Sequence, residues 1–167
     1  MPSIDNFWTS INCSDNRTKI DAVIFDIDGT LADVSKLRRE WLFSEDHKMD
    51  FGGFHAASVD APVIPWVLEA AFRTHAQGLA VVIVTGRPSR WRSHTAWWLA
   101  INKVPSDALL MRADDDNRPD ATVKTAMLNQ IQPSWNPIWV FDDNPSTIPV
   151  WQGAGIPVTV VPGWTTF

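Results

Sequence analysis

The stretch Ala22-Val23-Ile24-Phe25-Asp26-Ile27-Asp28-Gly29-Thr30-Leu31 decides how the rest of the chain is read. Its first half, Ala22 to Phe25, is a continuous apolar run rich in β-branched residues, the pattern of a strand buried on both faces. The run ends in a carboxylate, skips one residue to a second carboxylate, and turns at Gly29-Thr30. Two acids therefore stand at the carboxyl end of a buried strand, where open α/β sheets bind ligands. In unlike surroundings one carboxylate can attack while its neighbour handles the proton. An EF-hand Ca²⁺ loop also begins D-x-D, but it has its glycine at the sixth position, and Gly29 is the fourth.

Outward from this strand, elements alternate. Residues 31–60 are polar and mixed, with a short helix expected over 35–43, and FGGFHAASVDAP reads as a loop because of its glycines and proline. Apolar residues at helical spacing fill 65–76 and stop before Gly78. A second buried strand is expected over 79–84, a helix over 91–101 after Pro88, and a brief strand over 108–111. The acidic loop ADDDNRPD leads into a helix over 121–131, then a strand over 137–141, a short helix over 146–152 and a last strand over 158–161. Five strands with interleaved helices predict a doubly wound parallel α/β sheet. The expected layout is a single domain over 1–167, with 19–30 and 61–167 as core, 31–60 as a small cap insertion, and the first ~18 residues as a loose extension.

Composition narrows the class. The 167 residues, 45% hydrophobic, suit one domain with a real core, and the net charge of −5 argues against a surface coated in basic residues for duplex binding. The lone Cys13 excludes an internal disulfide framework and a multi-cysteine zinc site. No apolar run approaches the roughly 18 residues of a membrane span and no secretory signal opens the sequence, so a soluble cytoplasmic protein is expected.

Three more signals fall at element ends. The second strand runs into Thr85-Gly86-Arg87, whose hydroxyl, amides and guanidinium suit phosphoryl oxygens. Lys124 lies near a helix start, a place that favours anions. The strand over 137–141 ends in Asp142-Asp143-Asn144, where adjacent carboxylates call for a cation such as Mg²⁺.

In this order, D-x-D-G-T, T-G-R, K and D-D resemble the phosphatase branch of the haloacid dehalogenase superfamily, over about 21–161. The resemblance implies a Rossmann-like fold. It implies Asp26 as nucleophile, Asp28 as general acid and base, and Thr85 and Lys124 as supports for the phosphoryl oxygens. It also implies an Mg²⁺ shell from Asp26, Asp28, Asp142 and Asp143. Dehalogenases of the superfamily lack the second acid, so Asp28 favours phosphoryl transfer. VIFDIDGTLA, IVTGR, LLMR with RPDATVK, and FDDN are further similar to the phosphatase half of bacteriophage polynucleotide kinase–phosphatase. That likeness implies a nucleic-acid 3′-phosphate as substrate, with Gly86, Arg87, Arg112 and Arg118 on the substrate. No G-x-x-x-x-G-K-[ST] occurs in the 167 residues, so no kinase half is expected within them.

The gaps between motifs are too short for a large lid, which suits a phosphate at the end of something large, or a site closed by a neighbouring subunit. Arg87, Arg90, Arg92 and Arg112 form an expected funnel for a polyanion. Of the ten Trp, Trp41, Trp91, Trp97 and Trp98 are candidates for base stacking, Trp41 above the others, and His55 is a candidate to reach the site. The other readings are a nucleoside monophosphate phosphatase, a phosphorelay receiver and a catalytically silent binding module. A receiver places its acidic pair first and its lysine last, and here Lys124 precedes Asp142-Asp143.

Overall fold

A computed structural model describes residues 19–43 and 49–164. The expected N-terminal extension and Cys13 lie outside the described residues. Five strands, β1 (Ile20–Phe25), β2 (Ala80–Pro88), β3 (Ala108–Arg112), β4 (Trp135–Asp142) and β5 (Val158–Val160), form one sheet in the order β3-β2-β1-β4-β5. Every pairing is parallel. The chain winds from β1 toward one edge and then restarts on its other side at β4, so the topological switch lies at β1.

The pleat sorts side chains into two cores. Val23, Phe25, Val81, Ile83, Trp139 and Phe141 face one side, against α3 (Pro65–Ala76) and α4 (Arg92–Ile101). Ala22, Ile24, Val82, Val84 and Val140 face the other, against α5 (Asp120–Ile131) and α6 (Ile148–Gly153). This alternation explains the continuous apolar strands: both faces are covered. Trp98 is wholly buried, and its Nε1–H donates to Ala61 O at 2.7 Å.

Two irregularities matter. Ala22 faces Pro137 and Val23 faces Trp139, so Ile138 is an extra residue where proline has no N–H to give the ladder. On β2, Thr85 faces Met111 and Pro88 faces Arg112, which leaves Gly86 and Arg87 bulged from the register at the end of the sheet.

The chain between β1 and α3 leaves and returns at one point, fastened by Asp33 N–H to Pro62 O and Ile64 N–H to Leu31 O, both 2.8 Å. Within it, α1 (Ser35–Leu37) continues as a π-helical turn (Arg38–Leu42). The stretch expected as a loop is instead α2 (Phe51–Ala57) followed by a 3₁₀ turn (Ser58–Asp60). Two glycines disfavour a helix by about 1 kcal/mol each, but packing overrides them. Gly53 lies against the Trp41 ring with no space for a Cβ, and its N–H donates to the capping Asp50 Oδ1 at 2.9 Å.

Candidate active site

The register of β1 against β4 builds the centre. Phe25 pairs with Phe141, their rings stacked 4.8 Å apart, and Asp26 N–H donates to Phe141 O at 3.0 Å. Asp26 and Asp142, one residue further on, therefore emerge side by side on the α5 face of the sheet. Lys124, in the first half of α5, reaches both: its Nζ is 2.7 Å from Asp26 Oδ1 and 2.8 Å from Asp142 Oδ2. Burial opposes the lysine's charge, but Asp142 and Asp26 outweigh it and hold its pKa above the ordinary value. Asp142 accepts two further hydrogen bonds, from Trp151 Nε1–H (2.9 Å) and Asn144 N–H (3.0 Å). Burial also works against its charge; Lys124 prevails, and its pKa falls.

Asp143 alternates to the opposite face and meets Arg38 from the π turn. Arg38 Nη1 donates to Asp143 Oδ2 (3.0 Å) and Gly163 O (2.8 Å), and Nη2 to Asp28 O (2.7 Å). This crowding explains Gly29, whose φ is +92° and whose Cβ would collide with the Asp143 carboxylate. Burial pushes the Asp143 carboxyl up to about 6 against the pull of Arg38, and pushes Asp26 well above the usual carboxylate range. Three buried carboxylates thus share two cations, and one oxygen from each of Asp26, Asp142 and Asp143 falls within 4.8 Å of the others. Such an under-compensated set of hard oxygens suits a divalent ion of the Mg²⁺ type. Asp142 already accepts from three donors, whereas Asp143 accepts from Arg38 and Thr30 and Asp26 from Lys124.

Asp28 faces Arg87, the residue that the β2 bulge projects. Arg87 Nε donates to Oδ2 at 2.9 Å and Nη2 to Oδ1 at 2.5 Å. Burial raises the Asp28 pKa, yet Arg87 more than offsets it and the net direction is down. Arg87 is 1% exposed, and Thr85, also buried, accepts the Arg87 N–H at 3.2 Å.

Asp26, Asp28, Thr85, Gly86, Arg87, Arg112, Lys124 and Asp143 line one cavity of about 510 Å³. Not every expected residue joins them in the expected way. Arg118 is not on the cavity wall; it is exposed and pairs with Asp116 at 2.7 Å. Arg112 lines the cavity, but its donors serve Gly86 O (3.0 Å), Asp116 O (2.9 Å), Arg118 O (2.7 Å) and Asp120, tying the acidic loop to the end of β2. Arg90 reaches the cavity while paired with Asp114, whereas Arg92 turns to Leu109 O at 3.4 Å and does not, so the four-arginine funnel is not formed. Trp41 packs into the core instead of facing the cavity, as does Trp98, and Trp97 is exposed elsewhere. His55 does line the cavity, buried, and burial lowers its pKa to about 4. Arg38, Asp120, Asn144 and Trp164 were not anticipated.

The family model described as "Polynucleotide kinase PNKP phosphatase domain" matches residues 20–163. The chain belongs to this family. It is a haloacid dehalogenase-type phosphatase domain, and the PNKP phosphatase resemblance read from the motifs holds over nearly all the described residues. A chain of the Pnkp1/Rnl/Hen1 complex superposes with a TM-score of 0.72 at 25% identity, over 95% of this chain and 52% of that one. A chain of the Pnkp1/Rnl/Hen1 RNA repair complex gives 0.71 at 26%, over 92% and 46%. This PNKP-type chain thus spans about half the length of those relatives. The class C acid phosphatase of Bacillus anthracis, with a TM-score of 0.63 at 13% identity over 89% of this chain and 69% of its own, shares the fold. No described helix is long and apolar enough to cross a membrane.

Proposed function

We propose that the protein is a Mg²⁺-dependent phosphomonoesterase that removes a 3′-phosphate from nucleic-acid ends through an aspartyl-phosphate on Asp26. The observation that carries the reading is the contact of Lys124 with Asp26 at 2.7 Å, beside an Asp28 held by Arg87 in the same cavity. An anionic nucleophile can meet an anionic phosphate only where cations relieve the repulsion. Lys124 keeps Asp26 oriented and offsets its charge. Asp26, Asp143 and the Asp28 carbonyl would hold the metal, with Asp142 behind them, and the bound ion would neutralise charge on the phosphoryl oxygens.

In the first step an Asp26 oxygen bonds to phosphorus as the ester O–P bond breaks, and Asp28 gives its proton to the leaving oxygen. In the second, Asp28 takes a proton from water, whose oxygen attacks phosphorus and frees Asp26 and inorganic phosphate. Arg87 links binding to proton transfer: a phosphate that draws its donors away removes what depresses the Asp28 pKa, and Asp28 takes up from solvent the proton that it then gives to the leaving oxygen. Thr85 and the Gly86 backbone contribute contacts to the phosphoryl oxygens, and Arg112 positions the loop beside them. The segment over 31–60 serves as a small cap, supplying Arg38, Leu42, Phe51, Phe54 and His55 to the cavity wall.

Nucleic-acid ends are favoured by the likeness to chains of an RNA repair complex. A nucleoside monophosphate phosphatase is the second reading, since a cavity of about 510 Å³ takes a whole mononucleotide. Matched oligonucleotides and mononucleotides carrying 3′- or 5′-phosphate, assayed with Mg²⁺, separate the two. Preferential release from the 3′-oligonucleotide is expected, and preference for mononucleotides would move the assignment to the second reading.

A further inference from the structure

Part of the cavity lining is apolar and has no part in the chemistry above. Leu42, Phe51 and Phe54 contribute to it from the 31–60 segment, and Trp164 from the other end of the described residues. Phe54 is buried, but Phe51 is 52% exposed and Trp164 43% exposed. Large aromatic side chains left in water forgo most of their burial free energy. These two are not scattered on the surface; they border a cavity whose floor is ionic.

Both are held relative to the reacting groups. Phe51 is the first residue of α2, which Asp50 caps. The Trp164 ring lies 4.8 Å from the Arg38 guanidinium, and that guanidinium is bonded to Asp143 and to the Asp28 carbonyl. The lining also carries the polar Arg90, Asp116 and Asn117.

We infer that Phe51 and Trp164 form a stacking shelf for the nucleobase of the nucleotide whose phosphate is removed. The inference rests on the phosphatase reading above and extends it by assigning a base subsite. The volume, about 510 Å³, lies within the roughly 300–1,000 Å³ of small-ligand sites and exceeds what a bare phosphate fills. Lys124 and Arg87 line the cavity, and the phosphatase reading seats the anionic phosphoryl group beside them. A sugar phosphate without a base would leave the exposed Phe51 and Trp164 rings without an apolar partner. A nucleotide satisfies both ends at once. Aromatic faces also accept every base, because each has a π-face, which suits an enzyme that reads an end and not a sequence.

The test uses the full chain with Asp26→Asn to block turnover, and an oligonucleotide whose 3′-phosphorylated terminal residue is a fluorescent purine analogue. Binding should quench the analogue; Phe51→Ala in the same background should diminish the quenching, and Phe51→Trp should restore it. Phe51 is too exposed for its truncation to empty the core. In turnover with native Asp26, kcat/KM for an end with a base should exceed that for an abasic end by about tenfold or more, as one base–aromatic stack allows. Phe51→Ala should bring that ratio toward one. Equal rates on both ends, with no quenching on binding, would overturn the shelf and leave the phosphatase reading in place. Failure to cleave either oligonucleotide, with hydrolysis of other phosphomonoesters, would overturn both.

Discussion

Arg87 grips Asp28 through two parallel hydrogen bonds, Nε to Oδ2 at 2.9 Å and Nη2 to Oδ1 at 2.5 Å, with the arginine all but sealed from water. Asp28, the proton donor of the proposed mechanism, is thus held toward its charged form at rest, its pKa below the usual value because Arg87 outweighs burial. The folded pKa is depressed, so the pairing stabilises the fold above the ordinary carboxylate pKa and loses that contribution as pH falls through the folded value.

Arg87→Lys keeps a charge but not the fork. It should lower kcat/KM by about a hundredfold or more, the scale of losing one preorganised donor. Arg87→Gln should in addition move the alkaline limb of the kcat/KM profile, where the proposed acid Asp28 loses its proton, to higher pH, because Asp28 then titrates higher. A pH–rate profile identical to that of the native enzyme would show that Asp28 does not depend on Arg87.

Lys124→Met leaves Asp26 and Asp142 facing each other without their shared cation. Removing one partner of a buried ion pair costs about 3–5 kcal/mol, so denaturant midpoints should fall sharply and phosphate release should cease. Native stability in the variant would mean that the three groups are not coupled as described.

Metal binding should respond to pH through Asp143, whose carboxyl is raised to about 6 chiefly by burial. A raised carboxyl pKa favours the protonated native state, so without metal the fold loses stability as pH climbs through about 6. Mg²⁺ should counter this loss: the thermal shift it gives should be large above pH ~7 and shrink below ~6. Asp143→Asn should abolish the shift. Chelator should remove activity and Mg²⁺ restore it. A pH-independent shift would place the ion elsewhere.

The four motifs and the five strands were legible because buried parallel strands are continuous apolar runs and their acids follow directly. What the sequence left hidden is set by the third dimension. Asp142 and Asp143 read as an equivalent pair, yet the pleat sends them to opposite faces, one to Lys124 and the other to Arg38. Arg38 itself is one of two adjacent arginines, and only the π turn selects it. Arg112 and Arg118 carry the right charge, but backbone carbonyls and Asp116 claim their donors. The glycines of α2 signalled a loop because the Trp41 ring that requires Gly53 is distant in sequence.

His55 offers a separate acid response. Burial lowers its pKa to about 4, against an ordinary 6.5, so between those values the unfolded chain binds a proton that the native one does not. Its contribution is complete above pH ~6.5 and is lost as pH falls to ~4, on the order of 3 kcal/mol. His55→Gln should flatten the stability profile in that window, and an unaltered slope in urea titrations would contradict this.

The central claim is a covalent phosphoryl group on Asp26, and transfer of radiophosphate to the protein tests it most directly. An oligonucleotide with a labelled 3′-phosphate, mixed with excess enzyme and Mg²⁺ and quenched in acid within the first turnover, should leave transient label on the protein. Peptide mapping should place the label on Asp26 in a hydroxylamine-sensitive acyl phosphate, and Asp26→Asn should show none. Label passing straight into inorganic phosphate at every quench time, with none ever on Asp26, would contradict the account.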